Sequence, residues 1–358
     1  MIQSLRKQIR FLAVLALFAS PNLWAAPPFS ITPSADNDPL LNDTFDDLLA
    51  NLTEAVNDTI FTDENQAVLA DGMAGANASG SATTIVDRAL EPTLFNISVG
   101  GQVSVFGVDQ LTTSFAASSN ELPSIGAAIH GGVTAGVNLG TLGLKKKLGP
   151  IDFSRLKAYG SFLNYTYDSS TFSAAMQNYG LNLQYKLVPA VGLSFLAKWG
   201  GIDVTTGMNY IRNRATYQGN LNQSSSDGTN TLSFNFDYDL GVESKMFYIP
   251  LEVSTSVRLL YIFSAYGGVA ADLNFGSAGL VGGGSGEVTA TTNLAPVSYE
   301  ADAVLDLDEH GYKASPSFVN PRGFIGGQLN FPLAQVGGQV SVSSNGTMGF
   351  GLYARMGF

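Results

Sequence analysis

Apolar and polar residues alternate with a period of two over most of the chain from residue 95 onward. The clearest run alternates Leu232, Phe234, Phe236, Tyr238 and Leu240 with Ser233, Asn235, Asp237 and Asp239. Because successive side chains of a strand point to opposite faces, this pattern predicts strands with one apolar and one polar face. Many runs reach the roughly 9–11 residues that cross a bilayer, whereas soluble strands average about 5–6. The pattern therefore favours an all-β fold, a transmembrane antiparallel β-barrel, over a soluble sandwich.

We predict about 12 strands, with 10 or 14 as alternatives, because an even number returns both barrel ends to one side of the membrane. They are placed near 95–107, 126–141, 156–167, 173–187, 191–211, 230–242, 246–258, 260–275, 286–305, 318–331, 334–343 and 347–358. The polar stretch 213–230 is predicted as an outer loop, and 188–192 and 331–335 as inner turns. The turn expected within 258–262 is unusual, because RLLYI contains no Gly, Pro, Asn or Asp.

The first 25 residues have the features of a signal peptide. Arg6, Lys7 and Arg10 precede an apolar stretch at 11–19, and small residues lead to a predicted cleavage site after Ala25. The chain contains no cysteine, which excludes disulfides, thiolate metal sites and a lipid-modified N-terminal Cys. These features predict export to a bacterial envelope.

Residues 26–93 form a second, acidic segment, with 12 Asp and Glu against Arg88 as its single basic residue. Asp38-Pro39 is typical of a helix start. The apolar residues of the amphipathic helix expected after it are Leu41, Phe45, Leu48, Leu49, Leu52 and Val56. The small-residue stretch 72–84 is predicted as a linker or an irregular plug. The helix fits the barrel lumen, a periplasmic partner, a cap below the barrel, or plain surface packing, and these alternatives stay open.

Composition supports contact with lipid for residues 94–358, which we predict to form the barrel. Charged residues make up 13% of the chain, with 40 Gly and 11% aromatic residues, whereas soluble proteins carry about 25% charged residues. No apolar run of about 18 residues follows the N-terminus, which excludes an ordinary helical membrane protein.

The last ten residues, GFGLYARMGF, carry the most specific resemblance. Phe350, Leu352, Met356 and Phe358 recur at alternating positions. This ending resembles the closing strand of bacterial outer-membrane β-barrel proteins, which typically end in Phe. The resemblance implies recognition by periplasmic chaperones and the barrel-assembly machinery, followed by residence in outer-membrane lipid. The stretches 197–211 and 248–263 are similar to uncharacterised and adhesin-like barrels of spirochaetes and related bacteria.

Charged residues within the predicted strands are expected to face the lumen, because a charge in hydrocarbon is costly. The candidates are Lys157, Lys186, Asp237, Asp239, Glu252, Arg258 and Arg355. They fit a channel lining and a salt-bridged filling equally well. Aromatic residues near strand ends are predicted to form interfacial girdles, and these are Tyr159, Tyr165, Tyr167, Trp199, Tyr210, Tyr261 and Phe263.

We expect no enzyme, cofactor or metal site. His130 and His310 are the only histidines, and no spacing pairs them with a nucleophile. The acidic run at 306–309 offers oxygen ligands but lacks the 12-residue register of a calcium loop.

The favoured function is a passive channel or transport pore for small or hydrophobic solutes, in one version plugged by residues 26–93. The alternative is a surface adhesin or structural outer-membrane protein that binds a host or surface ligand through loops near 213–230 and 293–318. Nucleic acid is not expected as a partner of this acidic chain.

Overall fold

The structure is a computed structural model of the 358-residue chain. The residues it describes are 29–34, 47, 49–51, 53–54, 70–77, 87–88, 94–107, 126–140, 142–143, 147–148, 151–192, 196–226, 230–292, 297–310 and 313–357. The predicted signal peptide, Asp38-Pro39 and Phe358 lie outside these residues. Among the described residues, no helix is long and apolar enough to cross a membrane.

Strands dominate the described chain. They are β1 (Phe29–Pro33), β2 (Phe95–Phe106), β3 (Gly126–Asn138), β4 (Lys147–Leu148), β5 (Ile151–Asp152), β6 (Leu156–Asp168), β7 (Phe172–Val188), β8 (Val191–Gly192), β9 (Ala197–Ser226), β10 (Asn230–Leu259), β11 (Phe263–Thr292), β12 (Val297–Asp306), β13 (Lys313–Ala314), β14 (Val319–Asn330), β15 (Ala334–Ser343) and β16 (Met348–Gly357). A 3-10 turn covers Phe153–Arg155 and a short helix covers Leu307–His310. Helical residues also occur at 47, 49–51, 53–54 and 70–77.

Ten antiparallel strands close into a ring in the order β2, β3, β6, β7, β9, β10, β11, β14, β15, β16. The ring closes where β16 pairs with β2, from Met348↔Val105 to Gly357↔Asn96. Strand β11 joins β14 only over Phe263–Leu273. The described strands thus form a closed antiparallel β-barrel with the lowest of the predicted strand counts.

The two ends of the ring differ. At one end, β10 and β11 are joined by the turn 260–262 and β14 and β15 by the turn 331–333, while β3 and β6 are joined there by the longer connection 139–155. At the other end, β9, β10 and β11 run on to 30 residues each, or roughly 100 Å at about 3.3 Å per residue. Outer-membrane barrels have short periplasmic turns and longer extracellular loops. We therefore assign the short-turn end to the periplasm and the long end to the outside.

We call the ten-stranded part the membrane ring. The outer projection comprises residues 218–226 of β9, 230–242 of β10 and 280–292 of β11, together with β12 and β1. Strand β12 pairs with the outer half of β11, from Gly283↔Asp306 to Thr292↔Val297. Strand β1 then pairs with β12, from Phe29↔Leu305 to Pro33↔Ala301.

The membrane ring is apolar outside and polar inside. On β16, Phe350, Leu352 and Met356 are 50–56% exposed, whereas Tyr353 and Arg355 are buried. Other buried polar side chains of the ring include Gln102, Asn182, Gln184, Gln328 and Gln339. This arrangement suits strands whose outer face meets lipid.

The outer projection has the opposite arrangement: its inner face is apolar and its outer face is polar. A cluster of buried side chains contains Phe29, Leu49, Phe236, Leu280, Val288, Ala290, Tyr299, Ala301, Ala303, Leu305 and Leu307. The rings of Phe29 and Phe236 meet edge to face at 6.0 Å. Phe29 and Leu49 of the acidic N-terminal segment thus pack into the projection at its outer side.

Several predicted boundaries were wrong. Residues 276–285, predicted to separate two strands, belong to β11, and 286–305 is divided between β11 and β12. The segments 230–242 and 246–258 belong to one continuous strand, β10, and 213–230 is mostly the paired tip of β9 and β10 rather than a loop. The predicted turn within 258–262 is present. Leu260 and Tyr261 have φ of 51° and 61°, and Ile262 N donates to Leu259 O at 3.2 Å, as in a type I′ hairpin turn that usually contains Asn-Gly.

Candidate functional site: the occupied lumen and the outer projection

Helical residues 70–77 fill the outer mouth of the membrane ring. Ala74 and Ala76 are fully buried, and Ala74 packs with Met246 and Ala278. Thr347 Oγ1, between β15 and β16, donates to Gly75 O at 3.2 Å. Small side chains are required here, because a Cβ at Gly75 would lie 2.6 Å from Phe106 Cδ2. We call residues 70–77 and 87–88 the lumen plug.

Arg88 lies deeper in the lumen and binds Glu252 of β10. Its Nε and Nη2 donate to the two carboxylate oxygens of Glu252, both at 2.7 Å. Nη1 reaches Gln339 Oε1 on β15 at 3.4 Å. The guanidinium also stacks over Phe324, 4.7 Å from the ring centroid. A bidentate pair of this kind adds geometric specificity to the charge attraction.

Asp87 makes contacts toward other parts of the wall. Arg355 Nη1 on β16 lies 2.9 Å from Asp87 Oδ1. Gln184 Nε2 on β7 donates to Asp87 O at 2.9 Å and accepts at its Oε1 from Tyr159 OH, also at 2.9 Å. The two plug residues therefore connect β7, β10, β15 and β16 across the lumen.

A second ion pair lies beside the first. Arg322 Nε donates to Asp272 Oδ2 at 2.8 Å, and its Nη2 lies 3.3 Å from Oδ1. The same guanidinium is 3.8 Å from Glu252 Oε2 and 5.5 Å from the centroid of Phe324. The side chains of Arg88, Glu252, Asp272 and Arg322 are all at most 2% exposed. Burying these charges is tolerable because each faces an opposite charge.

The predicted lumen residues on the ring strands lie on the inner face. Lys157, Glu252 and Arg355 are buried there. Lys186 Nζ donates to Asp203 Oδ2 at 2.9 Å and to Gly200 O at 2.7 Å. Arg258 lies near the inner turn, with its guanidinium 4.9 Å from the centroid of Tyr261. Of these five residues, Glu252 and Arg355 contact the lumen plug.

Asp237 and Asp239 do not line the lumen. They lie in the outer projection and have the same parity on β10 as Leu251 and Val253, which face lipid. With Ser170, Thr171, Gln218, Asn220, Tyr238 and Gly283–Ser285 they line a groove of about 710 Å³. Asn220 Nδ2 donates to Asp237, and Asp239 Oδ1 accepts from Gly283 N at 2.9 Å. Strand continuity fixes this orientation, because residues an odd number apart point to opposite faces.

The remaining predicted residues divide in the same way. Tyr261 and Phe263 are exposed at the turn between β10 and β11 and its edge, as girdle residues should be. Tyr165 and Tyr167 are also exposed, but they share the parity of Lys157 on β6, which is the inner face, so they do not form an outward-facing girdle. Tyr159 was predicted wrongly, because it is 1% exposed inside the lumen, two residues from Lys157 on β6. Residues two apart on a strand lie on the same face, so Lys157 and Tyr159 could not face the lumen and the lipid respectively.

Asp308 of the acidic run and His130 of β3 have described side chains. Asp308 Oδ1 accepts a hydrogen bond from the backbone N–H of Gly282 at 3.0 Å. His130 is a buried residue of the inner face of β3. Within the described ranges, no three potential metal ligands come together.

Sequence reasoning did not identify Asp87, Arg88, Asp272 and Arg322. A signal for one of them was present, since Arg88 is the single basic residue in 68 otherwise acidic or neutral positions, 26–93. Such an isolated charge within an acidic segment indicates a specific anionic partner, and here that partner is Glu252.

Solved structures that align with the chain include parts of two autotransporters and a hydrocarbon channel. The translocator domain of autotransporter NalP from Neisseria meningitidis aligns over 75% of this chain and 90% of its own, at 10% identity and a TM-score of 0.30. The transport unit of autotransporter AIDA-I from Escherichia coli aligns over 75% and 91%, at 11% identity and a TM-score of 0.31. A mutant of the TodX monoaromatic hydrocarbon channel aligns over 81% and 99%, at 9% identity and a TM-score of 0.24.

Sequence comparison gives a family assignment. No curated protein matches the chain. The family model described as Lsa36-like matches residues 31–358. This match covers both the membrane ring and most of the segment before it, and the chain belongs to the Lsa36-like family.

Proposed function

We propose that this protein is a surface binding protein rather than an enzyme or an open pore. The membrane ring anchors it, and the outer projection presents the binding surface. The observation that carries this proposal is the length of β9, β10 and β11. Strand β11 needs only Phe263–Leu273 to join its ring neighbour, yet it continues to Thr292. Such an extension, with a buried apolar cluster of its own, is unnecessary for a membrane pore.

The groove beside Asp237 and Asp239 is the candidate binding surface. It is a shallow depression of about 710 Å³ that is open to solvent, and it suits a surface of a larger ligand rather than an enclosed small molecule. Carboxylates, side-chain amides and the Tyr238 ring surround it, which suits a ligand rich in hydroxyl or amide groups. The outer face above the groove continues in neutral polar residues such as Asn222 and Asn235.

The filled lumen argues against passive conduction in this conformation. The plug contributes two charges that are held by Glu252 and Arg355 at 2.7 and 2.9 Å. Removing one partner of a buried ion pair costs about 3–5 kcal/mol. A solute could therefore pass only if the plug moved and these two ion pairs were broken.

Adhesion of bacterial cells that produce the protein tests the binding proposal. We expect more of these cells than of non-producing cells to bind a monolayer of cultured mammalian cells. The double substitution Asn220→Ala with Asp237→Ala removes the hydrogen-bonded amide and carboxylate of the groove. We expect it to abolish at least half of the additional cell binding. Equal adhesion of producing and non-producing cells would contradict the proposal.

The matched control is Asp302→Ala, which removes an exposed carboxylate from β12 outside the groove. We expect this variant to bind as the native protein does. A similar loss in both variants would assign adhesion to surface charge in general and exclude the groove.

A pore opened by release of the plug is a second candidate. The favouring observation is that Asp87 and Arg88 belong to no strand and contact the wall mainly through polar side chains, Glu252, Gln339 and Arg355 among them. In planar bilayers we expect the native protein to be silent and the Asp87→Ala/Arg88→Ala variant to show stepwise conductance. Silence of both forms, with the variant shown to be folded, would exclude this candidate.

A further inference from the structure

The described parts of the N-terminal segment mark a path through the membrane ring. At the outer side, β1 pairs with β12 of the projection. Residues 70–77 lie at the outer mouth, and Asp87 and Arg88 lie deep in the lumen. Strand β2 then begins at Phe95, beside the closing residue pair Gly357↔Asn96 at the periplasmic end. Between residues 33 and 95 the chain therefore crosses from outside to inside.

Chain lengths agree with this path. Arg88 contacts Glu252, which lies seven residues before the periplasmic end of β10 at Leu259. Arg88 itself is seven residues before Phe95. At about 3.3 Å per residue, both intervals span roughly 23 Å when extended. The chain is thus just long enough to leave the lumen at the end where β2 starts.

We propose that the membrane ring is the conduit by which the chain's own N-terminal segment crosses the outer membrane. Residues 29–33 then form part of the cell surface, with β1 completing the projection. This activity, self-translocation, goes beyond ligand binding by the projection. In this proposal the barrel both anchors the protein and delivers β1 to the outer projection.

Charge explains why the lumen is the route. An exported chain reaches the barrel from the periplasm, and the segment 26–93 carries 12 acidic residues. Moving even one carboxylate through the bilayer core costs several kcal/mol. The inner wall instead offers buried polar groups of which His130, Asn178, Asn182, Gln184 and Gln339 are examples. A polar segment can pass along this wall without entering hydrocarbon.

Side-chain size explains where the segment stops. The helical plug has alanines at 70, 74 and 76, and glycines at 72 and 75. A Cβ built on Gly126 of β3 would lie 2.0 Å from the backbone of Gly72, so the fit is close. The ion pairs of Asp87 with Arg355 and of Arg88 with Glu252 form only when the segment is fully threaded. They hold the plug in place at the end of translocation.

Epitope tags in intact cells test the proposal. One tag is placed directly before Phe29, a second between β9 and β10 at 227–229, and a third in the periplasmic turn at 331–333. Antibody should label the first two on intact cells, and the third only after permeabilisation. A tag before Phe29 that stays hidden while the 227–229 tag is labelled would overturn self-translocation and leave the binding proposal standing. A hidden 227–229 tag would overturn both.

Engineered cysteines test the path itself, because the native chain has none. The pair Ala74→Cys with Ala278→Cys joins two residues of one buried cluster, and we expect oxidation to give a cross-link that changes the gel mobility of the folded protein. The matched control pairs Ala74→Cys with Ala271→Cys, which lies on the opposite face of β11, and should not cross-link. Absence of the first cross-link in a folded barrel would place the segment outside the lumen and overturn the proposal.

Discussion

The membrane ring and the outer projection share three strands but bury opposite kinds of residue. Along the inner face of β10, Glu252, Ser254 and Ser256 are buried in the ring. On the same face, Phe236 is buried in the projection and Leu240 packs against its apolar cluster. The outer face changes in the reverse sense, from Leu251 and Val253 to polar residues.

The surrounding medium explains the inversion. In the ring, lipid contacts the outer face, so apolar residues are stable there. The polar interior is stabilised by hydrogen bonds and ion pairs. In the projection, water meets the outer face, so apolar side chains must turn inward. Strand alternation identifies two faces, but the medium determines which of them is buried. The two regions should therefore lose stability through different kinds of substitution.

The largest effect is expected for loss of an ion-pair partner inside the ring. Asp272→Ala leaves the guanidinium of Arg322, whose side chain is 0% exposed, without its 2.8 Å partner. Breaking such a buried pair costs about 3–5 kcal/mol. We expect this loss in the free energy of unfolding, measured by urea titration of the protein in lipid vesicles with heat-modifiable gel mobility as the readout.

The control removes a carboxylate of the same kind from the projection. Asp302→Ala, on the exposed face of β12, should change the free energy of unfolding by less than about 0.5 kcal/mol. If Asp272→Ala had an equally small effect, Glu252 or water would be replacing the lost partner, and the ring interior would not depend on its ion pairs.

A somewhat smaller effect is expected in the apolar interior of the projection. Phe236 stacks on Phe234 at 5.6 Å and meets Phe29 edge to face. Phe236→Ala should destabilise the projection by about 3 kcal/mol, because a large cavity remains in a packed core. The measurement is limited proteolysis from outside, in which the projection should be cut sooner while the ring keeps its heat-modifiable mobility.

The same substitution on the lipid face gives the comparison. Phe162 is 59% exposed on the outside of the ring, and lipid chains can fill the space that Phe162→Ala leaves. We expect a smaller loss of stability and unchanged proteolysis of the projection. Equal proteolysis of the two variants would show that ring and projection unfold together.

The sequence predicted the membrane ring better than the projection. Strands β14, β15 and β16 lie within one or two residues of their predicted bounds, because each is a single membrane crossing with one medium on its outer face. For β10, by contrast, the pattern predicted two crossings. A strand of 30 residues passes through lipid and then through water. The alternation of apolar and polar residues does not indicate where the lipid ends.

The candidate site was predicted only in part, for a related reason. Glu252 and Arg355 could be assigned to the lumen by the cost of charge in hydrocarbon, since both belong to ring strands. Asp237 looked equivalent, yet it lies beyond the membrane, where exposed charge has no such cost. Asp87 and Arg88 precede the first ring strand, and no alternation marks a segment that is threaded through a barrel.

A pair of substitutions on one face of β10 tests the inversion directly, with the smallest expected effect. Val253→Lys introduces a charge on the lipid face, where Val253 is 46% exposed, and should cost about 2 kcal/mol because the ammonium must reach the interface. Asp237→Lys lies on the same face of the same strand and should change the free energy of unfolding by less than about 0.5 kcal/mol. Urea titration in vesicles measures both. Equal costs would place both residues in one medium, and the division into ring and projection would then be wrong.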